Sequence, residues 1–186
     1  TASDFLMSLQ STGAFLEKSN SNFLIRMPII IIGGGLTSLD VATESVIYYK
    51  LQVKKFLHKY QLEVMKNGKN SVQQDWTDEE RIIAEEFIAH AELFRQAVDK
   101  KSIQRILTEL GGATIYYRGK LLDSPAYKLN PDELLRALAS CVVFVENMIP
   151  LAIDIDKYGY AESIEFDNLG VKKKLKARTI IIAIGT

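Results

Sequence analysis

The chain has one cysteine among its 186 residues, Cys141, and only two histidines, His58 and His90. A single cysteine excludes an intramolecular disulfide, an all-cysteine metal cluster and a C-x-x-C redox pair within this sequence. Its neighbours Ala139, Val142 and Val143 predict a buried, inert thiol. The histidines fall in helical patterns without a second His at i+4 or a nearby Cys, so both read as surface residues and no metal site is expected. Long apolar runs are also missing. No stretch approaches the roughly 20 apolar residues of a membrane span, and no basic-then-apolar leader opens the sequence; a cytoplasmic location is the expectation. Charge of neither sign is in excess, Lys+Arg 23 against Asp+Glu 23, so no global field recruits nucleic acid or an anionic membrane. The basic run Lys172-Lys173-Lys174-Leu175-Lys176 reads as the solvated face of an edge strand, where lysines discourage edge-to-edge pairing. No nucleophile–base pair and no twin carboxylates are legible, and no catalytic side chain is expected.

What is present is concentrated in one stretch. Pro28-Ile29-Ile30-Ile31-Ile32 runs straight into Gly33-Gly34-Gly35, and an amphipathic pattern follows at Leu36-Thr37-Ser38-Leu39-Asp40. This is how a buried parallel strand turns into a helix whose N-terminus is left open for a phosphate. Gly33 and Gly35 occupy the first two positions of a G-x-G-x-x-G fingerprint, and Ser38, small but not Gly, takes the third. The tight turn and the approach of a diphosphate both need backbone without a side chain.

The remaining rhythm is that of an α/β domain. A short helix is expected over 2–10, a Ser/Asn-rich connector through Asn22, and a first strand over about 28–33. The helix after the glycines carries Leu39, Ala42, Val46, Tyr49, Val53 and Phe56 on one stripe and fades into a loop at Lys66–Asn70. Thr77-Asp78-Glu79-Glu80 matches a capping box, followed by a stripe of Ile83, Phe87, Phe94 and Val98. After Asp99-Lys100-Lys101 a further helix ends at Gly111-Gly112, a left-handed C-cap. Ala113–Arg118 reads as a strand, Pro131 opens a helix to about Ser140, and Val142–Val145 is a strand. From Met148 onward, Ile149–Ile155, Ala161–Phe166 and Val171–Lys176 make a three-stranded meander that feeds a closing strand, Thr179–Ile184. The fold class expected is α/β, a Rossmann-like parallel sheet with a three-stranded antiparallel meander and an α-helical insertion. Residues 1–186 form one dinucleotide-binding domain in this reading. The beginning at Thr1 and the stop beside an apolar strand lead to the expectation of a domain cut from a longer polypeptide.

In a Rossmann unit the second strand ends about 20 residues after the glycines, with an acidic residue for the adenosine ribose. Here the next β-rich run ends only at Arg118, so residues from about 50 to 110 are expected to be the helical insertion. Arg118 and Lys120 stand at that strand end with no carboxylate between them. A guanidinium binds a 2′-phosphate bidentately where a carboxylate would repel it, which favours NADP(H) over NAD(H).

Several segments resemble the NADPH-binding domain of the FAD-dependent pyridine-nucleotide oxidoreductases, especially the glutamate synthase small-subunit group. Ala2-Ser3-Asp4-Phe5-Leu6 is similar to the helix that leaves that family's FAD domain. Ile32–Asp40 resembles its G-G-G-D-T-A-x-D motif, and Gly112–Arg118 its second strand, which normally ends in two arginines. Ser124-Pro125-Ala126 resembles a Met-Pro-Ala element, and Ala177–Thr186 the return strand toward the FAD domain. There are three departures: Leu36 replaces the usual Asp, Gly119 the second Arg, and the helical insertion is unusual. The resemblance implies that NADPH docks on Gly33, Gly34, Gly35, Leu36, Thr37 and Ser38, with Arg118, Lys120 and Gly185 completing the site. The nicotinamide would then face a flavin, FAD, held by a partner domain of the same parent chain. Asp40 would orient the ring or a water, or else serve as a first-turn carboxylate on the helix dipole. Two other readings stay open: a degenerate Rossmann scaffold that associates with a protein partner through its extra helices, and FAD or another adenine nucleotide on the same glycines.

Overall fold

A computed structural model describes residues 1–185; Thr186, the last residue of the expected return segment, lies outside the described residues. Its organising element is β1 (Ile29–Ile32), whose four isoleucines are all buried. Successive side chains of a strand point to opposite faces, and here the two faces enter different cores. Ile29 and Ile31 join one apolar cluster and Ile30 and Ile32 the other. β2 (Ala113–Tyr116), β3 (Val142–Val145) and β7 (Thr179–Ile182) run parallel to it in the order β3-β2-β1-β7. Ile32 pairs with Tyr116 and Ile182, and Tyr116 with Val145, so all four strands end on one rim.

One face is covered by helices. α1 (Ala2–Thr12) and the long α2 (Leu36–Asn67) lie there, with α3 (Lys69–Gln73), α4 (Asp78–Gln96), α5 (Lys100–Glu109), α6 (Pro125–Leu129) and α7 (Pro131–Ala139). The opposite face is covered by β4 (Ile149–Ile155), β5 (Ala161–Asn168) and β6 (Val171–Lys176), an antiparallel sheet in the order β4-β5-β6. Ile164 and Phe166 of β5 are fully buried against Ile30 and Ile32, and Phe166 stacks on Tyr116 with ring centroids 4.7 Å apart. The outer face is charged, with Lys174–Asp154 and Lys172–Glu165 pairs each at 2.9 Å. β6 is an edge strand carrying the lysine run. The architecture is the expected α/β class: a Rossmann-like parallel sheet, a separate antiparallel meander, and a helical stretch between α2 and β2.

That stretch holds no strand among the described residues. α2 runs unbroken to Gly68, burying Leu39, Ala42, Val46, Tyr49 and Val53 as the stripe predicts. It also buries a second face, Val41, Ser45, Tyr48, Gln52 and Lys55, because the connector from Ala14 to Ile25 packs along it. Tyr48 accepts from the Phe23 N–H at 2.6 Å, and Gln52 exchanges two hydrogen bonds with Ile25, so the connector's backbone is satisfied by side chains. Thr77 forms the expected capping box with Glu80, and Asp99 caps α5 in the same way. Gly111 and Gly112 take positive φ of 94° and 49° after α5.

Four expectations are corrected. Val98 is 92% exposed, because α4 ends at Gln96 and the stripe cannot continue into the connection. His90 is half-buried rather than on the surface: α4 lays Phe87 and Ala91 on α2, which brings His90 Nδ1 within 2.5 Å of the Tyr49 hydroxyl. Burial holds its imidazole below the usual histidine range. Cys141 is half-buried in a left-handed turn (φ 69°) between α7 and β3, not sequestered in the core. The Lys66–Asn70 loop is interrupted at once by α3, which starts at Lys69 directly after Gly68.

Arg26, 3% exposed, fastens the helical stretch to the sheet. Its Nε donates to Glu86 Oε1 of α4 at 3.0 Å and its Nη2 to Oε2, a bidentate pair. The Arg26 backbone exchanges two further bonds with Thr179 at the start of β7. Removing one partner of such a pair leaves an uncompensated buried charge. Glu86→Ala is therefore expected to lower the unfolding free energy by about 3 kcal/mol in urea titrations. Lys172→Ala, which breaks a solvent-exposed pair, is expected to leave the midpoint unchanged.

Candidate functional site

The glycine turn sits where β1 meets α2, and its three glycines differ in what surrounds them. A Cβ on Gly33 would lie 2.3 Å from the Ala183 carbonyl oxygen, and one on Gly34 would lie 2.3 Å from the Tyr117 ring. One on Gly35 would meet nothing within 4 Å. The first two are thus required by the protein's own packing, whereas the third borders open space at an ordinary φ of −95°. Gly35 is the N-cap of α2 and supplies no side-chain cap, and no acidic residue lies in the first turn. Among the described residues, the N–H groups of Gly35, Leu36 and Thr37 donate no hydrogen bond. These bare amides carry the positive end of the helix dipole.

Two carbonyls of the turn, by contrast, are engaged. The Gly34 oxygen accepts from the Ala126 N–H at 2.9 Å, and the Gly35 oxygen accepts from both the Ser38 N–H and, at 2.5 Å, its hydroxyl. Ser38 is fully buried, as a small third-position residue must be, while Leu36 is half-buried and Thr37 exposed. Ala126 belongs to α6, a short helix capped by buried Ser124 with Pro125 at its start. Sequence reasoning read Ser124-Pro125-Ala126 as a motif but missed that it opens a helix. Ser-Pro at cap and first-turn positions was the available signal.

Beyond β2 the chain is pinned. Tyr117 donates from its N–H to Val145 O at 2.9 Å and accepts from Met148, and Gly119 O accepts from Asn147. Arg118 and Lys120 are exposed on this segment, and Gly185, exposed with φ 73°, follows β7. The register of the four parallel strands thus places Gly33–Ser38, Arg118, Lys120 and Gly185 on the same rim. Tyr117 was not anticipated. Strand alternation was its signal, since Tyr116 points into the meander and the next residue must face the opposite side, over Gly34.

Asp40 stands apart. It lies in the second turn of α2, which corrects the first-turn dipole reading. It lines a cleft of about 180 Å³ with Thr43, Glu44, Glu133 and Arg136, between α2 and α7. Burial first, then hydrogen bonding and charge from Glu133, push its carboxyl above the usual range. An acid whose pKa is raised by folding contributes stability while protonated and loses it as pH rises through the raised value. Asp40→Asn is expected to raise the urea midpoint near pH 7 and leave it unchanged at about pH 3.

No family model matches the chain. It is 59% identical over 166 residues to an uncharacterized protein of Rickettsia prowazekii (strain Madrid E), a match covering 89% of this chain and 22% of that protein. The chain therefore spans about a fifth of that relative's length. Among solved structures it is similar to a thioredoxin reductase from Streptococcus pyogenes at TM-score 0.43 and 12% identity, over 84% of this chain and 30% of that one. A bacillithiol disulfide reductase from Bacillus cereus gives TM-score 0.38 and 13% identity, over 87% and 29% of the two chains. The putidaredoxin reductase–putidaredoxin complex gives 0.39 and 11%, over 84% and 23%. Among the described residues, no group of three or more His, Cys, Asp and Glu is placed to hold a metal ion, and no helix is long and apolar enough to cross a membrane.

The different surroundings of the glycines have a measurable consequence. Gly33→Ala drives a methyl into the backbone of Ala183, directly after β7, and is expected to destabilise by about 2 kcal/mol, the scale of an overpacked core. Gly35→Ala is expected to melt as the parent protein does in a thermal scan, because its Cβ meets only open space.

Proposed function

We propose that this chain is the NADP(H)-binding module of a multidomain FAD-dependent oxidoreductase of the glutamate synthase small-subunit kind. It would position the nicotinamide for hydride transfer to a flavin on a domain outside this chain. The observation that carries the reading is the polarity of the glycine turn: the carbonyls of Gly34 and Gly35 are bonded internally, while the amides of Gly35, Leu36 and Thr37 donate no hydrogen bond beside an open Gly35. An anionic diphosphate is the group such a cradle accepts. Arg118 and Lys120, exposed on the same rim, supply two cations for a ribose 2′-phosphate. Gly185, bare and at positive φ beyond β7, leaves room beside the cradle.

In this assignment, Gly33 and Gly34 shape the turn, the next three amides hold the diphosphate, and Arg118 with Lys120 selects the phosphorylated cofactor. The bound dinucleotide supplies the hydride; the protein orients it and fixes the electrostatics around it. The residues from about 50 to 110 form a helical insertion in a single domain spanning 1–186, and that domain is one part of a longer, cytoplasmic polypeptide. The match to a relative of which it covers 22% supports its being part of a longer polypeptide.

Calorimetry with NADPH and NADH tests the proposal. NADPH is expected to bind, and Arg118→Ala is expected to weaken it by about 1–3 kcal/mol while leaving NADH unchanged. Equal losses for both nucleotides would remove Arg118 from the phosphate, and no binding of either at millimolar concentration would remove the module assignment itself.

A further inference from the structure

The far part of α2 borders a second cleft, of about 170 Å³, lined by Glu17, Lys54, Lys55, His58 and Lys59. Its wall is built from the connector after α1 and from two turns of α2. Lys55 is 5% exposed, and its Nζ donates to the carbonyls of Ala14 at 3.2 Å and Ser21 at 3.0 Å. Neither partner is charged. Among the described residues Lys55 pairs with no carboxylate, although ten other ion pairs are formed. Two of the three N–H bonds of an ammonium are thereby used and one is left. Lys59 Nζ likewise meets a neutral acceptor, Asn20 Oδ1, at 3.0 Å. Lys54 is paired with Glu17 at 2.8 Å, but that pair is open to solvent on both sides.

Three ammonium groups and an imidazole therefore surround a small cleft that contains one carboxylate. A buried ammonium without a counter-charge is costly, and like charges this close repel one another. Burial and the neighbouring Lys59 both hold the Lys55 ammonium below the usual lysine range. A fold keeps such a group either by discharging it or by providing an anion. The cleft has room for an anion, and two further lysines, Lys54 and Lys59, line it.

We propose that this cleft binds a phosphate-sized oxyanion, either inorganic phosphate or the phosphoryl group of a small metabolite, between Lys54, Lys55 and Lys59. The site is separate from the glycine turn. At 1.5 Å per residue, α2 places Lys55 roughly 30 Å from Gly35, so the anion here is not the diphosphate held there. This inference stands whether or not the chain binds a dinucleotide.

The experiment is calorimetric titration of the whole chain with sodium phosphate, against sodium chloride at matched ionic strength. Saturable binding to one site is expected for phosphate and none for chloride. Lys59→Met is expected to weaken phosphate about tenfold, the scale of one charge-assisted hydrogen bond, and Lys55→Met to abolish binding. Glu17→Gln is expected to act in the opposite direction, tightening phosphate several-fold by releasing Lys54 and removing a like charge. A purely structural lysine clamp would not produce that gain. Should Lys55→Met fail to fold, the exposed Lys59 and Glu17 variants decide. Absence of saturable phosphate binding in the parent chain overturns the proposal, as does an affinity unmoved by both exposed variants. Phenyl phosphate separates the two sources: tighter binding than inorganic phosphate assigns the cleft to a phosphomonoester, and weaker binding assigns it to the free ion.

Discussion

The structure depends on one strand being buried on both of its faces. β1 consists of four isoleucines because Ile29 and Ile31 must fill the core under the helices while Ile30 and Ile32 fill the core under the meander. Fully burying each such side chain is worth about 1.5–3 kcal/mol. The two layers and the placement of the neighbouring strands follow from this requirement. So does the glycine turn. With β7 paired tightly alongside, the chain leaving β1 passes so close to the Ala183 carbonyl that only a residue without a Cβ fits at position 33.

The turn that results is polar in one direction. Ala126 donates to the Gly34 carbonyl and Ser38 donates twice to that of Gly35, while the Tyr117 ring lies over Gly34. The amides of Gly35, Leu36 and Thr37 remain without an acceptor at the start of a helix of 32 residues. The diphosphate cradle proposed here would need no charged side chain at its centre, because the fixed peptide dipoles supply the potential.

α2 also borders three differently managed charges, of which only Arg26 and Lys55 are buried. Near its beginning, Asp40 lies beside Glu133 and is driven toward its neutral form. Beside its middle, Arg26 and Glu86 compensate each other with bidentate geometry and tie α4 to the edge of the sheet. Further along, Lys55 meets only carbonyls and is left with surplus positive charge around it. The Arg26–Glu86 pair is closed by its own two partners, whereas Asp40 and Glu133 line an open cleft. Lys55 combines a cleft with positive charge that no carboxylate offsets, and that combination is the basis for the anion site proposed there.

Much of this was legible in the sequence, because the relevant signals are local. Four β-branched residues followed by three glycines define a strand, a turn and a helix start through backbone sterics alone. The capping residues Thr77 and Asp99 mark helix beginnings through hydrogen bonds that span three positions. Alternation of helices and strands yielded the α/β class, and the β6 lysines marked an edge. What failed had its cause elsewhere in the chain. Val98 continued a helical period past the point where the helix stopped. His90 and Cys141 took their burial from α2 and from a left-handed turn, neither of which their own neighbours encode. Tyr117 over Gly34, Glu133 beside Asp40 and the carbonyls around Lys55 join residues that lie far apart in sequence. The sequence by itself determined where the backbone must be bare and which segments alternate. Only the tertiary structure decided which amides stay unbonded and which charges lack partners, because desolvation and hydrogen-bond satisfaction depend on every group that packs nearby.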